Sequence, residues 1–322
     1  MNDSLKKEIF DWIKDIVIAA VIISVIMGAL YAYTGTWPPM VVVESESMQH
    51  SDDTSYIGVI DTGDIVLSKH ISSKSDIITY VEGRATGYRS YGDYGDVIIY
   101  EPYGRHVTPI IHRAVLYLRW NSTGGGYDAP GLKNLKYDED YTVTQGDGWR
   151  NIHGRISIYN YGYEHRTLTI PISTIINYFQ LSGKTPHDGY ITAGDHNIAK
   201  GYGTDQPIIC REPIKFSWIV GKAEGELPWF GIIKLMFSGT LGAHPAPANS
   251  WVMLIISIAL LIIVPMIAEN LWDKWKEKRG NGEESGEKMG EDEGEELSEI
   301  PEEDNSDKTE EKAIQKEEDE IF

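Results

Sequence analysis

Cysteine is almost absent from this chain. Its only one, Cys210, excludes any internal disulfide, and its setting in Ile208-Ile209-Cys210 predicts a small buried apolar residue. Basic residues are also in short supply, with 29 Lys and Arg against 49 Asp and Glu and a formal charge of -20. Nucleic-acid binding needs a basic surface, so no nucleic-acid partner is expected. Lysine is missing altogether between Lys74 and Lys133. The histidines (His50, His70, His106, His112, His153, His165, His187, His196 and His244) show no metal-site spacing, and neither metal nor cofactor is expected. Long apolar runs are few, and a hydrophobic fraction of 41% is too low for a many-helix transporter.

Two apolar runs do occur. No charged residue lies between Asp15 and Glu44, and residues 16–34 predict a transmembrane helix, since ~20 apolar residues cross a ~30 Å hydrocarbon core. The run is long for a cleaved signal peptide and ends in Tyr31, Tyr33 and Trp37, an interfacial belt, which favours a retained anchor. Residues 251–268 predict a second span, with Pro265 near its end tolerated or kinking it. Lys6, Lys7 and Lys14 precede the first run, and Lys274, Lys276, Lys278 and Arg279 follow the second. The positive-inside rule then puts residues 1–15 and 269–322 in the cytoplasm and the middle of the chain outside the cell membrane, a two-pass arrangement. The segment from Gly280 carries 19 acidic residues and 4 lysines, most of the chain's net charge. With few large apolar residues it reads as a disordered acidic tail.

Between the runs the pattern turns to short β-like stretches. Residues 41–43, 65–67, 97–100, 110–118 and 208–210 read as strands, punctuated by Asp61-Thr62-Gly63-Asp64, Tyr94-Gly95-Asp96 and Gly194-Asp195. The 19 Tyr and 9 Trp suit a pleated, half-buried surface. The expected fold is a mainly β ectodomain in two parts, 35–119 and 189–237, with an inserted subregion over 120–188 and a linker over 238–250. Within the insertion, 156–161 reads as a strand and 170–181 as a short helix. Asn121-Ser122-Thr123 is a glycosylation sequon. The apolar stretch 227–237 reads equally as core or as a patch resting on lipid.

Chemistry concentrates in Val41-Val42-Val43-Glu44-Ser45-Glu46-Ser47-Met48, where a strand-like run ends in a polar elbow shortly after the first span. A serine hydroxyl is a poor nucleophile until a base takes its proton. His112, inside the apolar Ile110-Ile111-His112-Arg113-Ala114-Val115, needs a partner to be tolerated there. An imidazole suits a general base near neutral pH. Such a base works best when a carboxylate holds its second nitrogen. Asp195 and Asp205 are candidates for that carboxylate, and His196 is a rival imidazole.

The chain resembles the signal peptidase I family, in its archaeal and eukaryotic-type branch with a Ser/His/Asp site. The matching boxes are Ser45-Glu46-Ser47-Met48, Gly63-Asp64-Ile65-Val66, Gly95-Asp96-Val97-Ile98-Ile99-Tyr100, Ile111-His112-Arg113, Thr192-Ala193-Gly194-Asp195-His196-Asn197, Ile219-Val220-Gly221-Lys222-Ala223 and Leu227-Pro228-Trp229-Phe230-Gly231. Together with the N-terminal anchor that precedes them, the resemblance covers about residues 14–237. Departures are Glu46 where the family usually has Gly, and Gln49-His50 where it usually has Pro. The resemblance implies a membrane serine endopeptidase that removes N-terminal signal peptides from secretory preproteins. It implies Ser47 as nucleophile, His112 as base, and Asp195 or Asp205 as the orienting carboxylate, with Asp195 the nearer match. It also implies an oxyanion hole from the Ser47 N–H and the Ser45 hydroxyl. Met48 and Val42 are candidates to contact an extended substrate, and the partners implied are preproteins, the lipid bilayer and the secretion translocon. The competing expectations are a non-catalytic membrane-anchored β-rich surface protein, and a relative dedicated to one precursor.

Overall fold

The computed structural model describes residues 3–289. They divide into two compact units, with the boundary between Ala259 and Leu260. The first begins with α1 (Asp3–Thr34), whose apolar side chains are exposed along nearly its whole length. Then follow β1 (Met40–Val42), a 3-10 turn (Glu46–Met48), β2 (Ile65–Lys69), α2 (Tyr80–Thr86), β3 (Arg89–Ser90), β4 (Asp93–Tyr94), β5 (Val97–Tyr100) and β6 (Ile110–Asn121). The middle of the chain adds β7 (Gly126–Asp128), β8 (Tyr141–Val143), β9 (Ile156–Tyr161), β10 (Arg166–Ile170), α3 (Ile172–Ser182) and β11 (Gly189–Ala193). The remainder is α4 (Asp195–Ala199), α5 (Asp205–Ile208), β12 (Ile219–Leu227), α6 (Ile232–Ser238) and α7 (Ser250–Met289).

The chain is thus mixed: antiparallel sheets in the middle, with an apolar helix towards each end. Two helical stretches, Lys7–Thr34 and Ser250–Lys276, are long and apolar enough to cross a membrane. The second helix runs on to Met289, past the expected end at residue 268. Residues 269–289 are rich in Glu and Lys, good helix formers, and hold no proline. The tail expected to be disordered from Gly280 is helical as far as Met289, and its remainder lies outside the described residues.

The main sheet has the order β1-β2-β12-β5-β6-β11, with β7 added to the far end of β6, and every pair is antiparallel. The insertion forms its own sheet, β10-β9-β8, whose Ile156, Ile158, Leu168 and Ile170 share one core with Val115, Leu116 and Leu118 of β6. The expected strand at 156–161 and helix near 170–181 are both present. The expected strand at 208–210 is not. Asp205–Ile208 is a helical turn whose first carbonyl accepts from the N–H groups of Ile209 (2.7 Å) and Cys210 (3.2 Å). Pro207, inside it, has no N–H to give to a sheet ladder. Cys210 is buried, as expected.

Strand β5 shows how the sheet sorts its side chains. Successive residues point to opposite faces. Val97 and Ile99 join one core with Val43, Met48 and Ile111, while Ile98 and Tyr100 join another with Ala114 and Cys210. His112 sits opposite Ile98, and Arg113 opposite Val97. The imidazole therefore shares the Tyr100 face of the sheet, and the guanidinium takes the other.

The turn before β2 is tight. Gly63 adopts a φ of +96°, a left-handed conformation that glycine alone adopts freely, and a Cβ there would collide with Ile232. The Gly63 N–H donates to the Val43 carbonyl (3.0 Å), and the Asp64 carboxylate accepts from the N–H groups of Trp229 (2.8 Å) and Asp61 (2.7 Å). This ties β1, β2 and α6 together. The stretch 227–237 divides accordingly: Trp229, Ile232 and Leu235 are buried, while Ile233, Met236 and Phe237 are exposed.

Burial raises the Asp61 carboxyl to about 6 and that of Asp64 to about 7, above their ordinary 3.8. At these two carboxyls the folded chain holds more protons than the unfolded one between pH ~4 and ~7, so their contribution to stability falls as pH rises through that window. Asp61→Asn removes its share of this slope. The loss of unfolding free energy between pH 5 and pH 8, read by denaturant titration in detergent, should shrink by about 1 kcal/mol. An unchanged slope would show that Asp61 does not titrate in this way.

Candidate active site

Ser47 lies in the 3-10 turn that follows β1, between Ser45 in extended conformation and the buried Met48. Met48 packs with Val43, Ile60, Val66 and Ile111, and its burial pins the turn onto the sheet. That corrects the expectation that Met48 contacts substrate: its side chain is core, and burying one is worth roughly 1.5–3 kcal/mol. Val42 does line the open cleft beside Ser47, together with Val41 and Val43.

The cleft has a volume of about 790 Å³. One wall is the β1 segment from Pro38 to Ser47. Another is the entry to β6, from Thr108 to His112. Lys234, Thr240 and His244 from the α6 region form a third, and Lys234 is paired with Glu44 at 2.7 Å. Ser47, Ser45, His112 and Asn197 all face this space. The Ser45 and Ser47 hydroxyls lie 3.2 Å apart.

His112 is buried, and its Nδ1 lies 2.8 Å from both carboxylate oxygens of Asp205. Asp205 also accepts hydrogen bonds from the Tyr100 hydroxyl (2.7 Å) and the Thr192 hydroxyl (2.6 Å). Tyr100, His112 and Thr192 come from β5, β6 and β11, adjacent strands of one sheet. Thr192 pairs with Ala114, so the register places all three on one face. Burial alone would raise the Asp205 carboxyl. The facing imidazole and the three hydrogen bonds outweigh it and hold the group below its ordinary range. Desolvation and the same carboxylate keep the Tyr100 hydroxyl protonated, as a donor needs. A carboxylate on Nδ1 leaves Nε2 as the nitrogen free to take a proton.

Asp195, the nearer match in sequence, holds a different partner. It meets Arg113 through Nε (2.8 Å) and a terminal nitrogen (2.6 Å), and His50 Nε2 at 3.1 Å. The reason is the two-residue period of a strand: Arg113 points away from the His112 face, and each residue takes the carboxylate on its own side. Burial works to raise Asp195, but the Arg113 charge and the hydrogen bonds from His50 and Arg113 hold it at about 2. Arg113 is fully buried and also donates to the carbonyls of Ser90, Tyr91, Tyr94 and Gly95, which fastens the β3–β4 hairpin. The rival imidazole, His196, has Nδ1 3.2 Å from the Gln49 carbonyl and Nε2 3.5 Å from Asp52, so it braces the segment after Ser47.

Gly194 closes the site. A Cβ built there would lie 2.9 Å from His112 Nε2 and 3.0 Å from Asn197 Nδ2, and closer still to the Ser47 carbonyl oxygen. The Ser47 backbone carbonyl, the His112 ring and the Asn197 amide thus lie against the same glycine, and Ser47, His112 and Asn197 all line the cleft. Sequence reasoning gave Asn197, Tyr100 and Thr192 no role: Tyr100 and Thr192 become informative only through strand register, and Asn197 only through the placement of α4 beside the cleft. Gly194→Ala should push the Ser47 turn off the imidazole. Labelling of Ser47 by a fluorophosphonate probe should slow by roughly 10²-fold, because a misplacement of ~1 Å costs about that much. Initial rates with wild type alongside measure this, and a variant labelled at the full rate would show that the closeness of these groups is not needed.

No family model matches the chain, and no curated protein matches it. The case for the site therefore rests on geometry.

Proposed function

We propose that the chain is a membrane-anchored serine endopeptidase of the signal peptidase I type, in the branch that uses histidine as base. The observation that carries this reading is the Asp205–His112 pair opening, beside Ser47, onto a cleft whose wall is an edge strand. Ser47 Oγ attacks the scissile carbonyl as His112 Nε2 takes its proton. Asp205 holds the imidazole by Nδ1 and stabilises its cationic form. The tetrahedral oxyanion is met by the Ser47 N–H and the Ser45 hydroxyl, and losing one such donor typically costs ~10²–10³ in kcat. The imidazolium then protonates the leaving amine. The resulting acyl-enzyme is hydrolysed by a water that His112 deprotonates.

The substrate fits as an extended strand. Among the described residues β1 is paired with β2 alone, so one backbone edge of Met40–Val42 is open to a peptide, as in β-strand addition. The cleft beside it is lined by Val41, Val42, Val43, Ile110 and Ile111. Such walls accommodate small apolar residues of the kind found at signal-peptide cleavage sites. The basic flanks of the two apolar runs support a two-pass topology with both termini cytoplasmic and the cleft outside. Pro38, on the cleft wall, is four residues beyond the end of α1, which would keep the chemistry close to the lipid surface. The exposed Met236 and Phe237 of α6 suit the same interface.

The test is cleavage of a preprotein carrying Ala at the last and third-last signal positions, by the full chain in liposomes. Cleavage after the last signal residue is expected, with loss when a bulky residue replaces that Ala. Intact precursor after prolonged incubation would overturn the proposal.

A further inference from the structure

The turn joining β9 to β10 belongs to the inserted subregion, yet it touches the segment that carries Ser47. The Tyr163 ring stacks on the His50 imidazole, with centroids 4.1 Å apart and planes inclined by 24°. Its hydroxyl donates to the Gln49 carbonyl at 3.4 Å. Gln49 and His50 are two and three residues beyond Ser47. The turn is itself held from below: the Gly162 N–H donates to the Tyr80 hydroxyl (3.0 Å), and the Tyr80 and Tyr161 rings meet at 4.0 Å.

We propose that Tyr163 is a positioning residue for the nucleophile. Clamping His50 between its ring and Asp195, it lets the inserted subregion set where the Ser47 turn stands relative to His112. This deepens the peptidase reading and rests on it. His50 Nε2 engages Asp195, which engages Arg113. Arg113 is the neighbour of His112, and Asp195 is the neighbour of Gly194, the residue pressed against both Ser47 and His112. His50, Asp195 and Arg113 thus each sit within three residues of a group in the candidate active site. Movement of the turn would carry through rigid neighbours to the distance over which the serine proton must pass. The insertion is then a working part of the site, and whatever binds it can act on the rate.

The experiment compares Tyr163→Ala, Tyr163→Phe and His50→Gln in the full chain in liposomes. His50→Gln keeps a donor for Asp195 but removes the ring that Tyr163 stacks on. Tyr163→Ala and His50→Gln should lower kcat by about 10–100-fold with KM within about twofold, because substrate contacts are untouched. Tyr163→Phe, which keeps the stack, should restore kcat to within about threefold of wild type. Hydrogen exchange is the second readout and needs no activity. Amides 48–50 should exchange faster in Tyr163→Ala than in wild type, while β5 and β6 stay protected. Unchanged kcat in folded Tyr163→Ala would overturn the proposal, as would unchanged exchange at 48–50. A wild-type chain that cleaves nothing would instead remove the peptidase reading, leaving exchange alone to decide whether Tyr163 holds the turn.

Discussion

Cleavage by a Ser47→Ala chain should be slower than wild type by about 10⁴–10⁶-fold, with the thermal midpoint unmoved. Removing the nucleophile of a triad leaves only the acceleration that oxyanion stabilisation and binding supply. The structural cost is small. The Ser47 hydroxyl meets the Ser45 hydroxyl at 3.2 Å, and the turn is held by the burial of Met48 beside it. Single-turnover assays with excess enzyme suit so slow a variant. Substrate should still bind, since the edge of β1 and the apolar walls are intact. A variant retaining a tenth of wild-type activity would show that another group attacks the scissile bond.

The second large effect belongs to Asp205. Asp205→Asn should lower kcat by about 10³–10⁴-fold, because an amide nitrogen facing Nδ1 favours the imidazole tautomer that carries its proton on Nε2. That proton blocks the lone pair the serine needs. Asn keeps the shape of the site and an oxygen for the Tyr100 and Thr192 hydroxyls, so the fold should persist. Asp195→Asn should behave in the opposite sense. It removes the charge facing Arg113, a guanidinium buried within the sheet, and breaking such a pair costs roughly 3–5 kcal/mol. The pair of variants is read by kcat together with thermal midpoint. Asp205→Asn should lose rate and keep its midpoint, whereas Asp195→Asn should lose midpoint first. A reversed pattern would mean that the two carboxylates have been assigned the wrong duties.

Much of this was legible in the chain. The apolar runs gave both long helices, and alternation with turn residues gave β5 and β6. The elbow after β1 and the histidine in β6 pointed to the cleft, where the structure brings Ser47, Ser45, Val42 and His112 together. Sequence leaves the choice between Asp195 and Asp205 open, leaning to Asp195, because motif spacing measures distance along the chain, whereas strand period decides which face a carboxylate must reach. Reading His112 and Arg113 as strand neighbours would have separated their partners. Met48 was misread because a residue next to a reactive serine is as readily its anchor as its pocket. The 208–210 strand failed because a short apolar run does not distinguish a strand from the end of a helical turn, and Pro207 was the overlooked signal. The stacking of Tyr163 on His50 joins residues more than a hundred positions apart, and no local pattern announces it.

The adjacency of His112 and Arg113 on β6 makes the protein unusually vulnerable to slippage. Inserting one amino acid into that strand just before them would exchange the two side chains across the sheet. The imidazole would enter the slot lined by hairpin carbonyls, the guanidinium would land where Ala114 now sits, and the inserted residue would face the carboxylate of α5. Every side chain would still be present in the polypeptide, each delivered to the wrong address.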